Sequence, residues 1–481
     1  MALQLASVDV SRASPQPLTS QIQEAIKREI TQGVLHPGTR LPSSRSLADD
    51  LRVSRSVVVE AYGQLIAEGY LEALQGSGTR VAHHLAPAPV VSTLLNEGLV
   101  PTVRWDLRPA GTVSAHFPHR EWAAAYQRAV RSAGHNELDY PPLSGVVALR
   151  EELARYLGRV RGVRTAARDI MVVQGFAQGL GLLCGALVQT GVGSIAVEVP
   201  GHPRQRRFIE KTGLTPVPIP VDSEGIEVGA LTHSGVRAVL VTPFHQYPTG
   251  VTLSPRRRQA LADWARRTGG LVIEDDYDGD FWLERQPPPL AFQRLAPAQV
   301  AYAGTVSKSL VPALRLGWLA VPPSLLTALE RVRAERDLGS DVLTQLSFAE
   351  LLRSGAFDRH LRRMRVRYRE RRLALAEAVG RHLPGSSTVG SAAGLHAFVR
   401  LPPGTDEARF VAAALRRSVL VRGAAEFGTR DRRWCPGLVV GYTSLTPTGL
   451  HDAMTELGRC LHPDGVSARQ RHRGVLGPVA W

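Results

Sequence analysis

The feature that most constrains the fold of this chain is an alternation of short apolar runs with helical patterns between residues 170 and 321. The apolar runs are 170–173, 194–199, 238–242, 271–274, 300–303 and 317–321, and the helical patterns are 177–189, 204–212 and 255–268. Short apolar strands that alternate with helices predict a mostly parallel sheet with helices on both faces. We therefore predict an α/β domain with its ligand-binding residues at the carboxyl ends of the strands.

Lys308 follows one of these runs and is notable because the chain uses lysine so rarely. Among 58 lysines and arginines, the lysines are Lys27, Lys211 and Lys308. Arginine stays charged, whereas a lysine amine can lose its proton and attack an aldehyde. Small neighbours leave room for a cofactor ring, and Arg315 offers a forked donor for a phosphate. Lys308 is therefore a candidate Schiff-base lysine; the alternative is a lysine in a polar loop.

Other strand ends carry residues that suit the same kind of ligand. A turn that contains Gly175 opens a helix, and free backbone N–H groups at such a position suit a phosphate. The acidic run 274–280 could place a carboxylate beside a protonated pyridine nitrogen. A calcium loop is a poor match for this run, because its glycine and glutamate positions do not fit. The turn 243–250 carries polar side chains that could reach a ring oxygen.

The first 83 residues show a different pattern. Apolar residues at helical spacing predict a helix over 18–31. Ser43 or Ser44 can cap a second helix and Ser54 a third, and the short turn between them predicts a helix-turn-helix. A strand that starts near Gly69, a turn at 76–78 and a return strand at 79–81 predict a two-stranded wing. A winged helix presents its second helix to the major groove of DNA.

Charge and composition narrow the class of protein. The net charge is +15, but residues 1–83 hold eight basic and eight acidic residues, so the prediction of DNA binding rests on pattern. No apolar run is long enough to span a bilayer, and the first residues do not resemble a signal or transit peptide. Three isolated cysteines fit a reducing compartment. We expect a cytoplasmic protein without a membrane partner.

The remaining segments suggest connections and surfaces. We predict a DNA-binding domain at 1–83, a semi-rigid linker at 84–104, a large domain at 105–465 and a disordered basic tail at 466–481. The pair His83 and His84 has no further ligands at metal spacing, so we expect no metal site. Eight arginines lie within 359–372, and such a helix is more often a solvated face or a subunit contact than a nucleic-acid site.

Two sets of motifs carry a resemblance to known families. The segment LPSSRSLADDLRVSRSVVVEAYGQLIAEGYLEALQGSGT closely resembles the GntR-type winged helix. The order of phosphate turn, Pro-Thr-Gly turn, acid–tyrosine pair, lysine and arginine resembles the fold-type I pyridoxal-phosphate aminotransferases, which have a large and a small domain. Joined in one chain, from about residue 18 to about residue 457, the two sets resemble the MocR family of transcriptional regulators, to which GabR and PdxR belong.

The resemblance implies roles for individual residues. Lys308 would form the internal aldimine with pyridoxal 5'-phosphate, Asp275 would pair with the pyridine nitrogen, and Tyr277 would bond the ring hydroxyl. The cofactor-binding residues implied are Gly175, Phe176, Ala177, Tyr247, Asp275, Tyr277, Thr305, Ser307, Lys308 and Arg315, with Tyr140 added from a neighbouring subunit. The DNA-contacting residues implied are Arg45, Ser54, Arg55, Ser56 and Gly76.

The sequence also departs from the aminotransferase pattern. Tyr247 stands where the aminotransferases have asparagine, and His202 stands where they have tyrosine. Val439 occupies the position of the arginine that grips a substrate carboxylate in that family, and valine cannot make such a bidentate pair. The arginines that could replace it are Arg204, Arg206 and Arg422.

Two hypotheses follow for the function. The first is a homodimeric DNA-binding regulator that responds to pyridoxal phosphate itself, in PdxR-like control of vitamin B6 synthesis, or to an amino compound that forms an external aldimine. The second is a pyridoxal-phosphate-dependent aminotransferase with an accessory DNA-binding head. The missing arginine beside a complete winged-helix pattern favours the regulator. Its expected partners are operator DNA, pyridoxal phosphate and a second copy of the chain.

Overall fold

The computed structural model describes residues 10–12, 14–74, 78–83, 102–109, 113–428 and 435–461. The chain divides into two compact units, Met1–Val100 and Pro101–Trp481. Gly76, most of the predicted linker 84–104 and the whole predicted tail 466–481 lie outside the described residues. Nowhere in the described ranges does a helix combine the length and the apolar character needed to cross a membrane.

The first unit is a winged helix-turn-helix. Its elements are α1 (Leu18–Thr31), α2 (Ser44–Leu51), α3 (Arg55–Ala67), β1 (Leu71–Leu74) and β2 (Gly78–Val81). Apolar side chains from all five elements form one core, which includes Ile22, Ile26, Leu47, Val58, Leu65, Leu71 and Val81. β1 and β2 pair antiparallel as the predicted wing, and the three predicted helices are present.

The predicted caps of α2 and α3 have different outcomes. Ser43 Oγ accepts a hydrogen bond from the backbone N–H of Ser46 at 3.1 Å, so Ser43 caps α2. Ser54 stands at the same position before α3, but its hydroxyl contacts Ser56 Oγ at 2.8 Å and makes no cap hydrogen bond. The predicted cap by Ser54 is therefore wrong, because the neighbouring hydroxyl competes with the backbone for it.

The second unit contains the remaining helices and strands. The helices are α4 (His119–Ser132), α5 (Val147–Val160), α6 (Phe176–Gln189), α7 (Pro203–Lys211), α8 (Val228–His233), α9 (Pro255–Thr268), α10 (Pro323–Ala334), α11 (Val342–Arg353), α12 (Ala356–His382), α13 (Glu407–Arg416) and α14 (Pro447–Leu461). The strands are β3 (Trp105–Asp106), β4 (Ile170–Val173), β5 (Ser194–Val199), β6 (Thr215–Asp222), β7 (Gly225–Ile226), β8 (Ala238–Val241), β9 (Leu271–Asp275), β10 (Val300–Thr305), β11 (Gly317–Ala320), β12 (Ser387–Val389), β13 (His396–Arg400), β14 (Val419–Leu420), β15 (Arg422–Gly423) and β16 (Gly437–Gly441).

The larger sheet has the strand order β4-β11-β10-β9-β8-β5-β6-β7. Its centre is parallel from β10 through β9, β8 and β5 to β6, while β11 runs antiparallel to both β10 and β4. Successive residues of the central strands enter different cores: Ala238 and Leu240 belong to one cluster, Val239 and Val241 to another. Burial on both faces explains why these strands are apolar throughout, and it confirms the predicted α/β sheet.

A smaller antiparallel sheet has the order β12-β13-β16-β15, and the long helix α12 packs against α14 beside it. The arginine-rich segment 359–372 lies on α12. Several of its side chains bond backbone carbonyls within this unit: Arg365 bonds Asp280, Arg369 bonds Leu283 and Arg371 bonds Thr443. Part of that segment therefore makes stabilising contacts within the unit, in addition to the predicted solvated face or subunit contact.

Candidate functional site

A cavity of about 430 Å³ opens where β4, β5, β8, β9 and β10 end. Its wall includes Phe176, Ala177, Glu198, His202, Gln205, Arg206, Thr242, Tyr247, Asp275, Tyr277, Thr305, Ser307, Lys308, Arg315 and His396. Carboxyl ends of parallel strands are where ligands gather in open α/β sheets. The position of the cavity follows from the sheet topology.

One end of the cavity has the donors of an anion site. Gly175 has a left-handed backbone (φ +84°) that disfavours other residues, and a Cβ on it would lie only 3.1 Å from Arg315 Nη2. Arg315 donates from Nη2 to the carbonyl oxygen of Gln174 at 2.7 Å, which holds its guanidinium beside the start of α6. Thr305 and Ser307 add hydroxyls that lie 3.0 Å apart. A phosphate fits this combination of guanidinium, hydroxyls and helix N-terminus.

Asp275 lies at another part of the wall and is 5% exposed. Its partner among the described residues is the amide of Gln205, which donates to Oδ2 at 3.2 Å. Burial raises the pKa of the Asp275 carboxyl well above its ordinary value. A buried carboxylate without a cation is costly. A protonated ring nitrogen in the cavity would supply that cation.

Lys308 follows the end of β10 and reaches the cavity with its side chain. Burial lowers the pKa of its amine, and the charges of Asp278 and Asp275 act in the opposite direction. The net lowering increases the fraction of unprotonated amine near neutral pH, and the unprotonated amine is the nucleophile. Lys308 therefore has the protonation behaviour that condensation with an aldehyde requires.

Two aromatic rings form a further part of the wall. The His202 and Tyr247 rings are stacked with centroids 5.3 Å apart. Burial, together with the positive charges of Arg422 and Arg204, lowers the pKa of His202 to about 4. Its imidazole is therefore uncharged at neutral pH and offers a flat surface to a planar ligand. Burial also raises the pKa of Tyr247 to about 12, so its phenol stays protonated.

The structure brings the predicted cofactor residues together. Gly175 lies against Arg315, and the other nine line the cavity: Phe176, Ala177, Tyr247, Asp275, Tyr277, Thr305, Ser307, Lys308 and Arg315. Tyr140 is 77% exposed on the surface of its unit and does not line the cavity. Val439 packs with Phe398 and Phe427. In the pairing of β15 with β16, Arg422 lies directly opposite Val439.

Sequence reasoning missed several residues of the wall. Glu198, Gln205, Thr242 and His396 line the cavity without having been singled out. Thr242 donates to Glu198 from its Oγ1 at 2.6 Å and from its backbone N–H at 3.1 Å. Burial raises the pKa of Glu198 to about 7. The rule that ligands lie at strand ends could have identified Glu198 and Thr242, whereas His396 comes from the smaller sheet, far along the chain.

The predicted DNA-contacting residues gather at the start of α2 and α3. Arg45 is exposed in the first turn of α2; Ser54 precedes α3, and Arg55 and Ser56 begin it, all exposed. Arg55 Nε lies 3.4 Å from Ser44 Oγ, which joins the two helix starts. We call this group, with Ser44, the head surface. Gly76 lies outside the described residues.

The chain matches two protein families, "Bacterial regulatory proteins, gntR family" over residues 18–81 and "Aminotransferase class I and II" over residues 112–438. The HTH-type pyridoxine biosynthesis transcriptional regulator PdxR of Corynebacterium glutamicum is 35% identical over 389 residues, 80% of this chain and 83% of that protein. The "Probable rhizopine catabolism regulatory protein MocR" of Rhizobium meliloti is 30% identical over 477 residues, 93% of this chain and 94% of that one.

Solved structures match about three quarters of the chain. LysN, an alpha-aminoadipate aminotransferase from Thermus thermophilus, has a TM-score of 0.67 at 25% identity and covers 76% of this chain and 93% of its own. Kynurenine aminotransferase from Pyrococcus horikoshii has a TM-score of 0.69 at 23% identity and shares the fold, with 76% of this chain and 93% of its own covered.

Winged helix and aminotransferase-like domain together define a class of two-part regulators. This chain belongs to the MocR family of HTH-type transcriptional regulators. That membership confirms the predicted fold class, and it favours the regulator over the aminotransferase with an accessory head.

Proposed function

We propose that this regulator binds pyridoxal 5'-phosphate in the cavity and that occupancy of the cavity changes the affinity of the head for operator DNA. The observation that carries the proposal is the buried carboxyl of Asp275, which bonds an amide and makes no ion pair within the described part of the chain. The cofactor would supply an aldehyde for a lysine amine, a protonated ring nitrogen for a carboxylate and a phosphate for an anion site.

Each of these groups has a counterpart on the cavity wall. Lys308 presents an amine with a lowered pKa, Asp275 presents the carboxyl, and Arg315 presents its guanidinium beside the start of α6. Tyr277 would hold the ring hydroxyl, and the stacked pair His202 and Tyr247 would exclude water from one side of the ring. These residues fit the cofactor in number and in chemical type.

We further propose that pyridoxal phosphate is itself the signal. The relative from C. glutamicum is named as a regulator of pyridoxine biosynthesis, which supports control of vitamin B6 synthesis here. Val439 is buried in an apolar cluster and offers no charge to the carboxylate of an amino acid. The cavity therefore suits pyridoxal phosphate alone better than an amino acid whose carboxylate would need a charged partner at this position.

DNA binding would use the head surface and a second copy of the chain. Exposed arginine and serine side chains at a helix start can contact phosphates and base edges. Two heads in a homodimer would read a two-part operator in the cytoplasm. The change in DNA affinity follows from linkage: a ligand that prefers one arrangement of the heads shifts the chain toward it. Light scattering that shows a monomer at working concentration would contradict the dimer.

The decisive experiment measures cofactor binding and DNA binding on the same samples. Wild-type chain with added pyridoxal phosphate should gain the visible absorbance band of a lysine-linked pyridoxal, and Lys308→Ala should lack it. Binding to DNA from upstream of its own gene should depend on the cofactor in the wild type and not in Lys308→Ala. Lys211→Ala, which removes an exposed lysine at the end of α7, is the matched control and should behave as the wild type.

Two outcomes would contradict the proposal. An absorbance band with DNA binding that ignores the cofactor would indicate a further signal, and an amino compound screen would follow. Steady turnover of an amino acid with a keto acid would indicate an enzyme with an accessory head.

A further inference from the structure

Gln246 comes directly before Tyr247 in the chain, and its side chain is buried outside the cavity wall. The residue is 1% exposed and does not line the cavity. None of the roles proposed above uses it. A buried amide has to satisfy its donors and its acceptor within the protein, so its hydrogen bonds show which segments it joins.

The amide nitrogen of Gln246 joins two segments that meet at the cavity. Nε2 donates to the carbonyl oxygen of Pro200 at 2.8 Å and to that of Tyr247 at 2.8 Å. Pro200 follows β5 and lies two residues before His202, whereas Tyr247 belongs to the turn after β8. β5 and β8 are parallel neighbours in the sheet. One amide group therefore ties the segment that carries His202 to the turn that carries Tyr247.

The amide oxygen of Gln246 is fixed as well. Oε1 accepts the backbone N–H of Thr249 at 3.1 Å and the hydroxyl of Thr249 at 2.6 Å. Carbonyl oxygens can only accept and a backbone N–H can only donate, so these partners require an amide in this orientation. The side chain cannot turn without losing hydrogen bonds at both of its ends.

A second set of hydrogen bonds joins the same two segments. Thr242 Oγ1 donates to Glu198 Oε2 at 2.6 Å and accepts the backbone N–H of Tyr247 at 3.1 Å. Glu198 lies on β5, two residues before Pro200. Thr242 and Gln246 thus bond the N–H and the C=O of Tyr247. The backbone from which the Tyr247 ring projects is fixed on both sides.

The two joined segments carry the stacked rings of the cavity wall. The His202 and Tyr247 rings have centroids 5.3 Å apart and planes 23° from parallel. Within the described residues the two side chains share no hydrogen bond. Their separation therefore depends on the backbone segments that carry them, and Gln246 bonds both of those segments.

We propose that Gln246 is a positioning residue that sets the separation of the His202 and Tyr247 rings, and thereby the flat surface that this pair presents to a ligand ring. The importance of this role for a ligand rests on the proposed function, in which the ligand ring is that of pyridoxal phosphate. The separation of the two rings is a property of the empty chain as well, so it can be tested without any ligand.

Fluorine NMR of the full-length, cofactor-free chain measures the contact between the two rings. The chain has ten tyrosines, which can be labelled with 3-fluorotyrosine, and Tyr247→Phe identifies the signal of interest by its loss. His202→Ala removes the stacked ring and should shift the Tyr247 signal. We call the size of this shift the stacking response. A wild-type chain without a stacking response would overturn the proposal.

Gln246→Met tests the role of the amide. Methionine fills a similar volume but has neither the N–H donors nor the amide oxygen, so the two segments are no longer joined by this side chain. The stacking response should shrink by roughly half or more, since the three residues belong to one network. Gln189→Met, at the exposed last residue of α6, is the matched control and should keep the wild-type response. An unchanged response in Gln246→Met, or an equal loss in both variants, would refute the proposal.

A pair of substitutions at Thr249 tests the same role without altering Gln246. Thr249→Val removes the hydroxyl that donates to Gln246 Oε1 and should reduce the stacking response. Thr249→Ser keeps that hydroxyl and should retain the wild-type response. If Gln246→Met does not fold, this pair carries the test, and equal responses in the two variants would count against the proposal.

The affinity for pyridoxal phosphate gives a second readout. Gln246→Met should bind the cofactor about fivefold more weakly than Gln189→Met does, because the aromatic surface for its ring is displaced. Equal affinities for the two variants would contradict the proposed role toward the ligand. Failure of the wild type to bind any pyridoxal phosphate would refute the proposed function, while the stacking response would still decide whether Gln246 sets the separation of the rings.

Discussion

The cavity wall that carries Asp275, Glu198 and Lys308 and the head surface are both polar, but the charged groups of the two regions differ in their exposure to water. Asp275, Glu198 and Lys308 are withdrawn from water, and burial shifts the pKa of each toward its uncharged form. Arg45 and Arg55 stand in solvent at the start of two helices. Buried charges respond to protons, whereas exposed charges are screened by salt. The cavity should therefore be the pH-sensitive part of the molecule, and the head surface the salt-sensitive part.

The largest expected effect concerns Glu198. In the folded chain the Glu198 carboxyl has a pKa of about 7, so it stays protonated up to about that pH. In an unfolded chain the same carboxyl loses its proton near the ordinary glutamate pKa. A raised carboxyl pKa stabilises the fold at low pH, and that contribution is lost as the pH rises from about 4.5 to about 7. Glu198→Gln removes this loss and should raise the unfolding free energy at pH 8 by about 3 kcal/mol.

Denaturant unfolding between pH 5 and pH 8 measures this effect in the cofactor-free chain. All seven tryptophans lie beyond residue 104, so their fluorescence reports on the second unit alone. Glu210→Gln removes an exposed carboxyl on α7 and should not change the pH profile. A wild-type profile that is flat across this range would show that the Glu198 carboxyl does not have the raised pKa described above.

Arg315 belongs to the cavity but is exposed like the arginines of the head surface. We therefore expect its interactions to depend on salt. Arg315→Ala should weaken the binding of pyridoxal phosphate by about 100-fold, since a charged hydrogen bond to phosphate is worth about 1.5–3 kcal/mol. Arg315→Lys keeps the charge without the fork and should lose less. Equilibrium dialysis at two salt concentrations measures both. Binding that does not weaken with salt in the wild type would contradict the exposed position of Arg315.

Arg55 tests the head surface. Arg55→Ala should weaken operator binding by about tenfold and reduce the slope of log affinity against log salt by about one. The visible absorbance of the bound cofactor should not change, because Arg55 belongs to the other unit. Arg331→Ala removes an exposed arginine from α10 and serves as the control. An equal loss in both variants, read by fluorescence anisotropy, would indicate general attraction to DNA rather than the head surface.

The smallest expected effect separates two serines of the head. Ser43 caps α2, so Ser43→Ala should cost about 1 kcal/mol and speed amide exchange in α2 by about fivefold. Ser54 bonds Ser56 instead of the backbone, so Ser54→Ala should change exchange in α3 by a smaller factor. Hydrogen-exchange mass spectrometry resolves both helices. Equal effects for the two variants would show that Ser54 caps α3 after all.

The head could be predicted almost completely because its signals are local. Helices α1, α2 and α3 follow from apolar spacing within a few residues, and the wing follows from turn residues next to its strands. The cap by Ser54 was wrong because the competing hydroxyl of Ser56 is invisible in propensity rules.

The cavity could be predicted in part. Lys308 and Asp275 could be predicted to lie on the cavity wall, and Gly175 near its phosphate-suited end, because each lies at a strand end beside an unusual residue or turn. His396 was not predicted, because its position depends on which strands and loops become neighbours after the chain has folded. Burial, which sets the pKa of Glu198, also arises from tertiary packing and cannot be seen in local sequence.

Lys308 and Arg315 lie seven residues apart in the connection between two antiparallel strands, which closes with Thr305 opposite Gly317. Their separation depends on this connection and on the hydrogen bond that holds the Arg315 guanidinium at the carbonyl oxygen of Gln174. A molecule that contacts both groups at once must span the distance between them that this connection sets. For the proposed cofactor these two groups would meet the aldehyde and the phosphate, so the connection would select a ligand by its length as well as by its charge.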